Sequence, residues 1–339
     1  MPADMAGGSD GASGGSGAIG ARGSEGAMGS DGGLGSVVIE VPATSANLGP
    51  GFDCLGLALG LFDRIEARFT DRPGVTVEVV GEGAGRVPTD GSNLVARIVR
   101  TGLATFDETG VLATRGLALR CQNAIPQSRG LGSSAAAIVG GLAVAAHLAG
   151  VADSVSAAEM VALATRLEGH PDNVAPGVLG GATIAWMQSG ELGPVGRATR
   201  FAVHPALAPV LVIPGSEAST ARARGALPAA VPHPDAAFNA GRAALLVHAL
   251  SSDPELLLEA TDDRLHQQQR RTVFPASMEL VEKLRSLRIP AAISGAGPAV
   301  IAFAADGDGE GLAARIGDHV GDWARVRVLA VSDWGVRVR

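Results

Sequence analysis

A glycine-rich loop at residues 126–136 constrains the fold of this chain more than any other feature of its sequence. The loop reads PQSRGLGSSAA and leads into an alanine-rich segment that reaches Leu148, with Gly150 just beyond it. Glycine lets a backbone approach a ligand closely, and the first turn of a following helix presents free N–H groups to that ligand. The pattern therefore predicts a helix over residues 134–148 whose N-terminus faces an anion, and a phosphate group suits such a site best.

The residues alone leave three interpretations of this loop open. The first is a phosphate site that works without lysine, because Lys283 is the only lysine in the chain and no GxxxxGK[ST] pattern is present. The second is a dinucleotide fingerprint, which Gly130, Gly132 and Ala135 satisfy as G-x-G-x-x-A, although residues 126–129 do not look like the end of a strand. The third is a tight turn into a buried helix, with no ligand at all.

The composition excludes several other classes of protein. Lysine and arginine number 27 against 34 acidic residues, a net charge of -7, so we expect no nucleic-acid partner. Cys54 and Cys121 have neither CxxC spacing nor neighbouring histidines, which favours a reduced, cytoplasmic protein. The apolar run at residues 135–152 approaches the length of a membrane helix, but it is mostly alanine and glycine, so we expect no membrane insertion.

The order of predicted elements indicates an α+β fold in two packed halves. Residues 1–35 are rich in glycine and serine and predict a disordered tail, followed by one domain at residues 36–200 and a second at residues 201–339. Ser156 and Glu159 have the spacing of a capping box at the start of a helix. The clearest predicted strands cover residues 37–41, 63–69, 75–80, 117–123, 183–187, 210–213 and 299–303. The clearest predicted helices cover residues 93–106, 134–148, 156–168, 236–250, 254–269 and 276–287.

Two further motifs accompany the glycine loop in a characteristic order. Residues 41–58 read VPATSANLGPGFDCLGLA, and residues 294–298 read SGAGP between apolar runs. The three motifs together resemble those of the GHMP kinase superfamily. The resemblance covers the chain from about residue 37 to its end, and it implies the two-domain GHMP kinase fold, with a ribosomal S5-like N-terminal domain and a ferredoxin-like C-terminal domain. ATP and a small alcohol would then be held between the halves.

Within that superfamily, the first motif looks like that of the homoserine kinases. Three other segments share this likeness: EGHPDNVAP at residues 168–176, STARARGALP at residues 219–228, and DRLHQQQR at residues 263–270. The resemblance implies an enzyme that phosphorylates the hydroxyl of L-homoserine with ATP and Mg²⁺, a step of threonine biosynthesis, and it allows a homodimer. Another small alcohol is the alternative substrate. An NAD(P)-dependent oxidoreductase using the glycine loop and a non-catalytic ATP-binding regulator are the alternative functions.

The resemblance also assigns residues to the amino-acid substrate. Arg224 and Arg270 would bind its carboxylate, for which the planar guanidinium is suited. Asp53 with Asn47 would bind its ammonium group. The residues left for the reacting hydroxyl are His170 and Asn173.

The same resemblance assigns the nucleotide and metal sites. Glu168 and Ser134 would hold Mg²⁺, which takes one or two protein oxygens alongside waters and phosphates. Asn173 stands at the position of the aspartate base of mevalonate kinase, so the resemblance implies direct attack without a dedicated base, and Asn173, Glu168 and Arg224 form the catalytic set. The residues assigned to ATP are Asn93, Pro126, Gln127, Ser128, Arg129, Gly130, Leu131, Gly132, Ser133, Ser134, Ala135 and Ala136.

Simpler explanations exist for several of these residues. Asp53 could cap a helix, Glu168 could be a solvated carboxylate at a helix end, and His170 could be a turn residue. One residue of the pair Arg270 and Arg271 could be surface charge. The remaining histidines show no metal-ligand spacing and are treated as structural: His147, His204, His233, His248, His266 and His319.

The chain also departs from the family pattern at two places. Gln268 and Gln269 replace the proline and tyrosine that usually precede the arginine, which weakens the assignment of Arg270. Ala299 stands where the third motif often has threonine. We expect these changes to alter affinity rather than abolish activity.

Overall fold

The computed structural model describes residues 35–191 and 193–339, which form two β-sheets with helices packed on them. The predicted tail at residues 1–35 lies outside the described residues, apart from residue 35 itself. The mixed helix and sheet content confirms the α+β prediction.

The first sheet is built around a long antiparallel hairpin. Strands β1 (Ser36–Asn47) and β2 (Gly51–Thr70) pair along most of their length, and register shifts after Pro42 and Ala46 interrupt the regular pairing. The sheet order is β11-β1-β2-β4-β3, with β5 paired to β2 and β6 paired to β5. The other strands are β3 (Val75–Gly81), β4 (Gly116–Asn123), β5 (Ala182–Gly190), β6 (Gly193–Phe201) and β11 (Arg337–Val338).

The described residues of this half form four α-helices, which are α1 (Leu94–Phe106), α2 (Ser133–Leu148), α3 (Ala157–Glu168) and α4 (Val174–Leu179). Helix α2 is buried along nearly its whole length, because its small residues admit close neighbours. A Cβ added to Gly140 would lie 2.6 Å from Ile65 of β2, and one added to Gly141 would lie 2.7 Å from Ile98 of α1. The alanine and glycine content therefore reflects a helix held tightly between the sheet and α1. Among the described residues, no helix has both the length and the hydropathy needed to cross a bilayer.

The second sheet has the strand order β10-β7-β9-β8, with every neighbouring pair antiparallel. This is the order of a ferredoxin-like fold, in which a helix precedes the second and fourth strands. Its strands are β7 (Ala208–Pro214), β8 (Ala291–Ile293), β9 (Val300–Ala304) and β10 (Ala324–Val328). The helices of this half are α5 (Thr220–Gly225), α6 (His233–Ser251), α7 (Leu257–Ala260), α8 (Pro275–Ser286) and α9 (Gly309–Val320).

The proposed division of the chain near residue 200 coincides with the end of β6 at Phe201. The final strand β11 nevertheless pairs with β1 of the first sheet, so the end of the chain packs back onto the first half. We keep the division as a proposal, with this strand as the element that crosses it.

The helix predicted over residues 254–269 is wrong. A 3-10 turn at Pro254–Leu256 and the short helix α7 are followed by an irregular segment that ends in a second 3-10 turn, Gln268–Arg270. The carboxylate of Asp263 accepts hydrogen bonds from the backbone N–H groups of residues 265, 266 and 267, at 3.0, 3.1 and 2.9 Å. A side chain that takes these donors competes with helical hydrogen bonding, so the helix does not continue.

Candidate active site

The three motifs meet because the backbone of the glycine loop is hydrogen-bonded on both sides. Thr44 of β1 donates its N–H to the carbonyl of Leu131 at 3.1 Å, and Ala299 donates its N–H to the carbonyl of Arg129 at 3.1 Å. Gly295 donates its N–H to the carbonyl of Ala46 at 2.9 Å, which joins the third motif to the first. The loop is therefore fixed between the tip of the first hairpin and the loop that joins β8 to β9.

Two glycines of the loop are required by these close approaches. Gly130 and Gly132 have φ of 75° and 71°, in the left-handed region that favours glycine. A Cβ on Gly132 would overlap the hydroxyl of Thr44, and one on Gly130 would overlap the carbonyl oxygen of Ser294. The sequence pattern thus reflects packing among the motifs as well as room for a ligand.

A cavity of about 140 Å³, here called the polar cavity, opens where the motifs meet. The loop, the N-terminus of α2 and the loop after β8 contribute backbone to its wall. Its lining combines carboxylates, guanidinium groups, amides and hydroxyls in a small space. The polar and charged lining side chains outside the glycine loop are Asn47, Asp53, Glu168, His170, Asp172, Asn173, Thr220, Arg224 and Arg270.

A second cavity of about 260 Å³, here called the apolar cavity, lies on the other side of the loop. It shares Ser128, Ser133 and Ser134 with the polar cavity, so the two meet at the start of α2. Burial raises the pKa of its one lining aspartate, Asp63, to about 6. The other lining residues are Ile65, Val87, Pro88, Asn93, Leu94, Val95, Cys121, Asn123, Gln127, Ala136 and Ala137.

Ser134 and Glu168 form the pair predicted to hold a metal. The Ser134 hydroxyl, in the first turn of α2, donates a hydrogen bond to Oε2 of Glu168 at 2.8 Å. Glu168 ends α3, and its burial raises the pKa of the carboxyl. Glu168 is therefore a half-buried carboxylate that faces the cavity, not a fully solvated helix-end charge.

Asp172 organises the residues predicted to lie near the reacting hydroxyl. It is 2% exposed, and its Oδ1 accepts from Nδ1 of His170 at 2.6 Å and from the backbone N–H of Asn173 at 2.9 Å. Burial alone would lower the pKa of His170, but the hydrogen bond and charge of Asp172 outweigh it and the pKa is raised. Nδ2 of Asn173 lies 3.4 Å from the same oxygen, and Oδ1 of Asn173 accepts from the Thr44 hydroxyl at 2.9 Å.

Arg224 and Asp53 form a bidentate ion pair. Nη1 and Nη2 of Arg224 donate to the two carboxylate oxygens of Asp53 at 3.2 and 2.7 Å. Asp53 lies in strand β2 with φ of 53°, so it does not cap a helix. Asn47 fixes this part of the hairpin, because its Oδ1 accepts from the N–H of Asp53 at 3.0 Å and its Nδ2 donates to the carbonyl of Gly295 at 2.9 Å.

Arg270 is the largest side chain of the described residues that is fully buried, with 1% exposure. It lines the polar cavity beside Arg224, whereas its neighbour Arg271 is partly exposed and pairs with Glu282. Burial lowers the pKa of Arg270, and the nearby charge of Arg224 lowers it further. Gln268 and Gln269, the two departures from the family pattern, are exposed.

Some residues predicted to bind ATP have other contacts. The side chain of Arg129 donates to the carbonyls of Pro214 and Gly215, at 3.0 and 2.5 Å, and so ties the loop to the end of β7. Asn93 caps α1 by accepting from the N–H of Val95 at 2.9 Å, and it also lines the apolar cavity. Pro126 and Ala135 are absent from the lining of both cavities.

Sequence reasoning gave no role to four residues that shape the site. Asp172 and Thr44 lie inside quoted motifs. Asp172 stands next to Asn173, which is a signal that could have identified it, whereas no sequence signal joins Thr44 to Asn173, which is 129 residues away. Thr220 lines the polar cavity directly. His266 contacts Arg270, which lies four residues further along the chain.

The chain matches two family descriptions. Residues 93–181, which include the glycine loop, match the GHMP kinases N terminal domain, and residues 243–322 match the GHMP kinases C terminal region. A homoserine kinase of Mycolicibacterium vanbaalenii is 50% identical over 304 residues, covering 88% of this chain and 95% of the relative. A homoserine kinase of Streptomyces avermitilis is 49% identical over 294 residues, covering 86% and 92%.

Solved structures share the fold. The crystal structure of homoserine kinase from Cytophaga hutchinsonii has a TM-score of 0.76 and 25% identity, covering 90% of this chain and 97% of that one. The crystal structure of L. major mevalonate kinase in complex with R-mevalonate has a TM-score of 0.63 at 17% identity, covering 88% and 95%. At that low identity, the second likeness concerns the fold alone.

Proposed function

We propose that this chain, which belongs to the homoserine kinase family of the GHMP kinases, transfers the γ-phosphoryl group of ATP to the hydroxyl of L-homoserine. The products are O-phospho-L-homoserine and ADP, and the reaction is a step of threonine biosynthesis. The observation that carries the proposal is the polar cavity, in which groups of both charges lie beside a phosphate-type glycine loop.

The charges of the polar cavity suit a zwitterion with a hydroxyl. A substrate carboxylate would bind Arg270 and Arg224, and a substrate ammonium group would bind Asp53, with Asn47 holding the hairpin in place. Because Arg224 and Asp53 are paired with each other, the substrate would exchange one internal ion pair for two new ones. Such an exchange keeps Arg224 and Asp53 partnered, which lowers the cost of transferring the substrate from water.

The two cavities and the loop between them suit different parts of the nucleotide. The apolar cavity suits a nucleoside, and the loop between the cavities, together with the N-terminus of α2, suits its phosphates. Within the loop, we assign the phosphates to the backbone of residues 130–134 and to the hydroxyls of Ser133 and Ser134. Arg129 supports the loop through its contacts with Pro214 and Gly215.

The oxygens of Ser134 and Glu168 fit a Mg²⁺ ion that accompanies ATP. They are a hydroxyl and a carboxylate already within 2.8 Å of each other, which is the hard oxygen donor set that Mg²⁺ prefers. The ion, when bound, neutralises negative charge that develops on the transferring phosphates. The polar cavity places these oxygens in the same lining as the residues assigned to the amino acid.

The residues around the reacting hydroxyl align it rather than deprotonate it strongly. Asn173 is an amide and accepts no proton, and Asp172 already accepts from both His170 and Asn173. We infer direct attack of the substrate oxygen on the γ-phosphorus, while the bond to the bridging oxygen of ADP breaks and the hydroxyl proton leaves to solvent. Alignment and electrostatic stabilisation then supply the rate enhancement.

Phosphorus NMR of a mixture of protein, ATP, Mg²⁺ and L-homoserine tests the proposal. We expect the γ-phosphate signal of ATP to be replaced by the signal of a phosphomonoester, in an amount equal to the ADP formed. The mass of this product should be that of O-phospho-L-homoserine. Binding of ATP without any turnover would instead support the non-catalytic regulator. Reduction of NAD(P)⁺ would support the oxidoreductase. The family does not favour that function, and strand β4 ends at Asn123, seven residues before Gly130, instead of leading directly into the glycines.

A further inference from the structure

His266 is a buried side chain next to the site to which the proposed chemistry gives no role. It is 1% exposed and lies four residues before Arg270. Its Nε2 is 2.7 Å from the carbonyl oxygen of Gly49, and its Nδ1 is 3.0 Å from Nη1 of Arg270. The ring therefore joins the buried arginine to the turn of the hairpin that carries Asn47 and Asp53.

These two contacts fix the tautomer of the imidazole. A guanidinium group only donates hydrogen bonds, so Nδ1 of His266 must accept and carries no proton. A carbonyl oxygen only accepts, so Nε2 carries the hydrogen that is donated to Gly49. Burial lowers the pKa of His266, which keeps the ring in this neutral form at neutral pH.

Arg270 is held along one edge by its surroundings. Its Nε donates to the carbonyl of Ala223 at 3.1 Å, and its Nη1 donates to His266 and, at 3.5 Å, to the carbonyl of Gly295. Within the described part of the chain, Nη2 has no hydrogen-bond partner, and Arg270 lines the polar cavity. The acceptors that hold Nε and Nη1 therefore leave Nη2 as the nitrogen that is available to a ligand.

We propose that His266 is a positioning residue that directs Nη2 of Arg270 at the substrate carboxylate and so sets the preference for a free carboxylate over a neutral group. The inference rests on the proposed function, because it names the part of the amino acid that Arg270 reads. His266 acts through Arg270 and does not touch the substrate. Its contact with Gly49 couples the carboxylate end of the site to the hairpin assigned to the ammonium group.

Two substitutions separate the two contacts of the ring. In His266→Asn the side-chain oxygen lies near the position of Nδ1, so an acceptor for Arg270 is kept and the contact with Gly49 is lost. In His266→Gln the amide nitrogen reaches the position of Nε2, so the donor to Gly49 is kept and the acceptor for Arg270 is lost. Each full-length variant is assayed with L-homoserine and with L-homoserine amide, which lacks the carboxylate charge, and its Tm is measured.

We expect His266→Gln to raise the KM for L-homoserine about tenfold, the effect of one hydrogen bond, and to leave the KM for ATP within about twofold. Its preference for L-homoserine over the amide should fall by the same factor, whereas His266→Asn should keep the wild-type preference. Equal losses in both variants, or a loss that is the same for both substrates, would indicate a purely structural residue and overturn the inference. Failure of the wild type to phosphorylate L-homoserine would instead overturn the proposed function, and the inference with it.

A second measurement on the wild-type protein does not depend on how the variants fold. Nitrogen-15 NMR of the histidine side chains distinguishes the two neutral tautomers by the shifts of Nδ1 and Nε2. We expect His266 to be the Nε2–H tautomer with an accepting Nδ1, and we expect its Nδ1 signal to move when L-homoserine is added. An Nδ1–H tautomer could not accept from Arg270 and would overturn the inference.

Discussion

Arg270→Ala should raise the KM for L-homoserine while leaving kcat and the KM for ATP nearly unchanged. The substitution removes a guanidinium group that is 1% exposed and lines the polar cavity. If Arg270 binds the substrate carboxylate equally in the ground state and the transition state, its loss weakens uniform binding, which appears in KM.

The size of the effect follows from the kind of interaction lost. A hydrogen bond to a charged group contributes about 1.5–3 kcal/mol, which corresponds to roughly a 10- to 150-fold increase in KM. Arg224 is a second cation in the same cavity, so we expect the lower half of that range. The variant also leaves the carbonyl of Ala223 and Nδ1 of His266 without their donor, so its Tm should fall as well.

The chain supplies a matched control in Arg271→Ala. That side chain is adjacent in sequence and equally charged, but it is partly exposed and pairs with Glu282. An exposed ion pair contributes about 0–1 kcal/mol, so its KM for L-homoserine should stay within about twofold of wild type. Steady-state assays varying L-homoserine and ATP separately, at a temperature well below each Tm, give all the constants.

Two results would refute this reasoning. Equal changes in the KM for L-homoserine in the two variants would mean that binding depends on the net charge near the site. The buried position of Arg270 would then have no effect. A rise in the KM for ATP, with the KM for L-homoserine unchanged, would place the nucleotide at Arg270 and exclude the assigned carboxylate site.

Three further predictions concern catalysis, the loop and pH. Glu168→Gln should lower kcat about 100-fold and raise the Mg²⁺ concentration needed for half-maximal rate, because it removes a metal-binding charge; an unchanged Mg²⁺ titration would contradict the assignment. Gly132→Ala should lower kcat/KM at least tenfold more than Gly150→Ala, because both have left-handed φ (71° and 72°) but only the first would overlap Thr44; similar losses would mean that backbone strain alone decides. Asp63, whose pKa is raised to about 6, binds its proton more tightly when folded, so its contribution to stability is present at low pH and is lost as pH rises through about 6. The unfolding free energy of wild type relative to Asp63→Asn, measured in urea, should therefore fall by a few kcal/mol between about pH 4 and pH 7, and a constant difference would contradict the raised pKa.

Much of the fold could be predicted from local pattern, because the patterns reflect local physics. Helix α1 begins after Asn93, and the capping box of Ser156 and Glu159 starts α3 as predicted. The helix prediction for residues 254–269 is wrong. The apolar spacing there suits a helix, but the Asp263 carboxylate accepts hydrogen bonds from backbone N–H groups that a helix would use. A single side chain that folds back on its own backbone does not change the hydrophobic period, so the pattern could not reveal it.

The site could be predicted as a set of residues but not as a set of contacts. The motifs assign Asp53 and Arg224 to opposite ends of the substrate, yet the two residues are paired with each other across 171 residues of sequence. Asp172 stands next to Asn173 and His266 stands four residues before Arg270, but these positions alone do not show which side chains they hold. Such pairings depend on how the two halves pack, which no single motif contains.

Release of ADP by the purified protein, measured with ATP and Mg²⁺ against L-homoserine, mevalonate, galactose and shikimate in parallel, tests the central claim most directly. The account predicts release that depends on L-homoserine, because only that compound offers a carboxylate, an ammonium group and a primary hydroxyl together. Release with another of these alcohols and not with L-homoserine would keep the phosphate site but contradict the pocket formed by Asp53, Arg224 and Arg270.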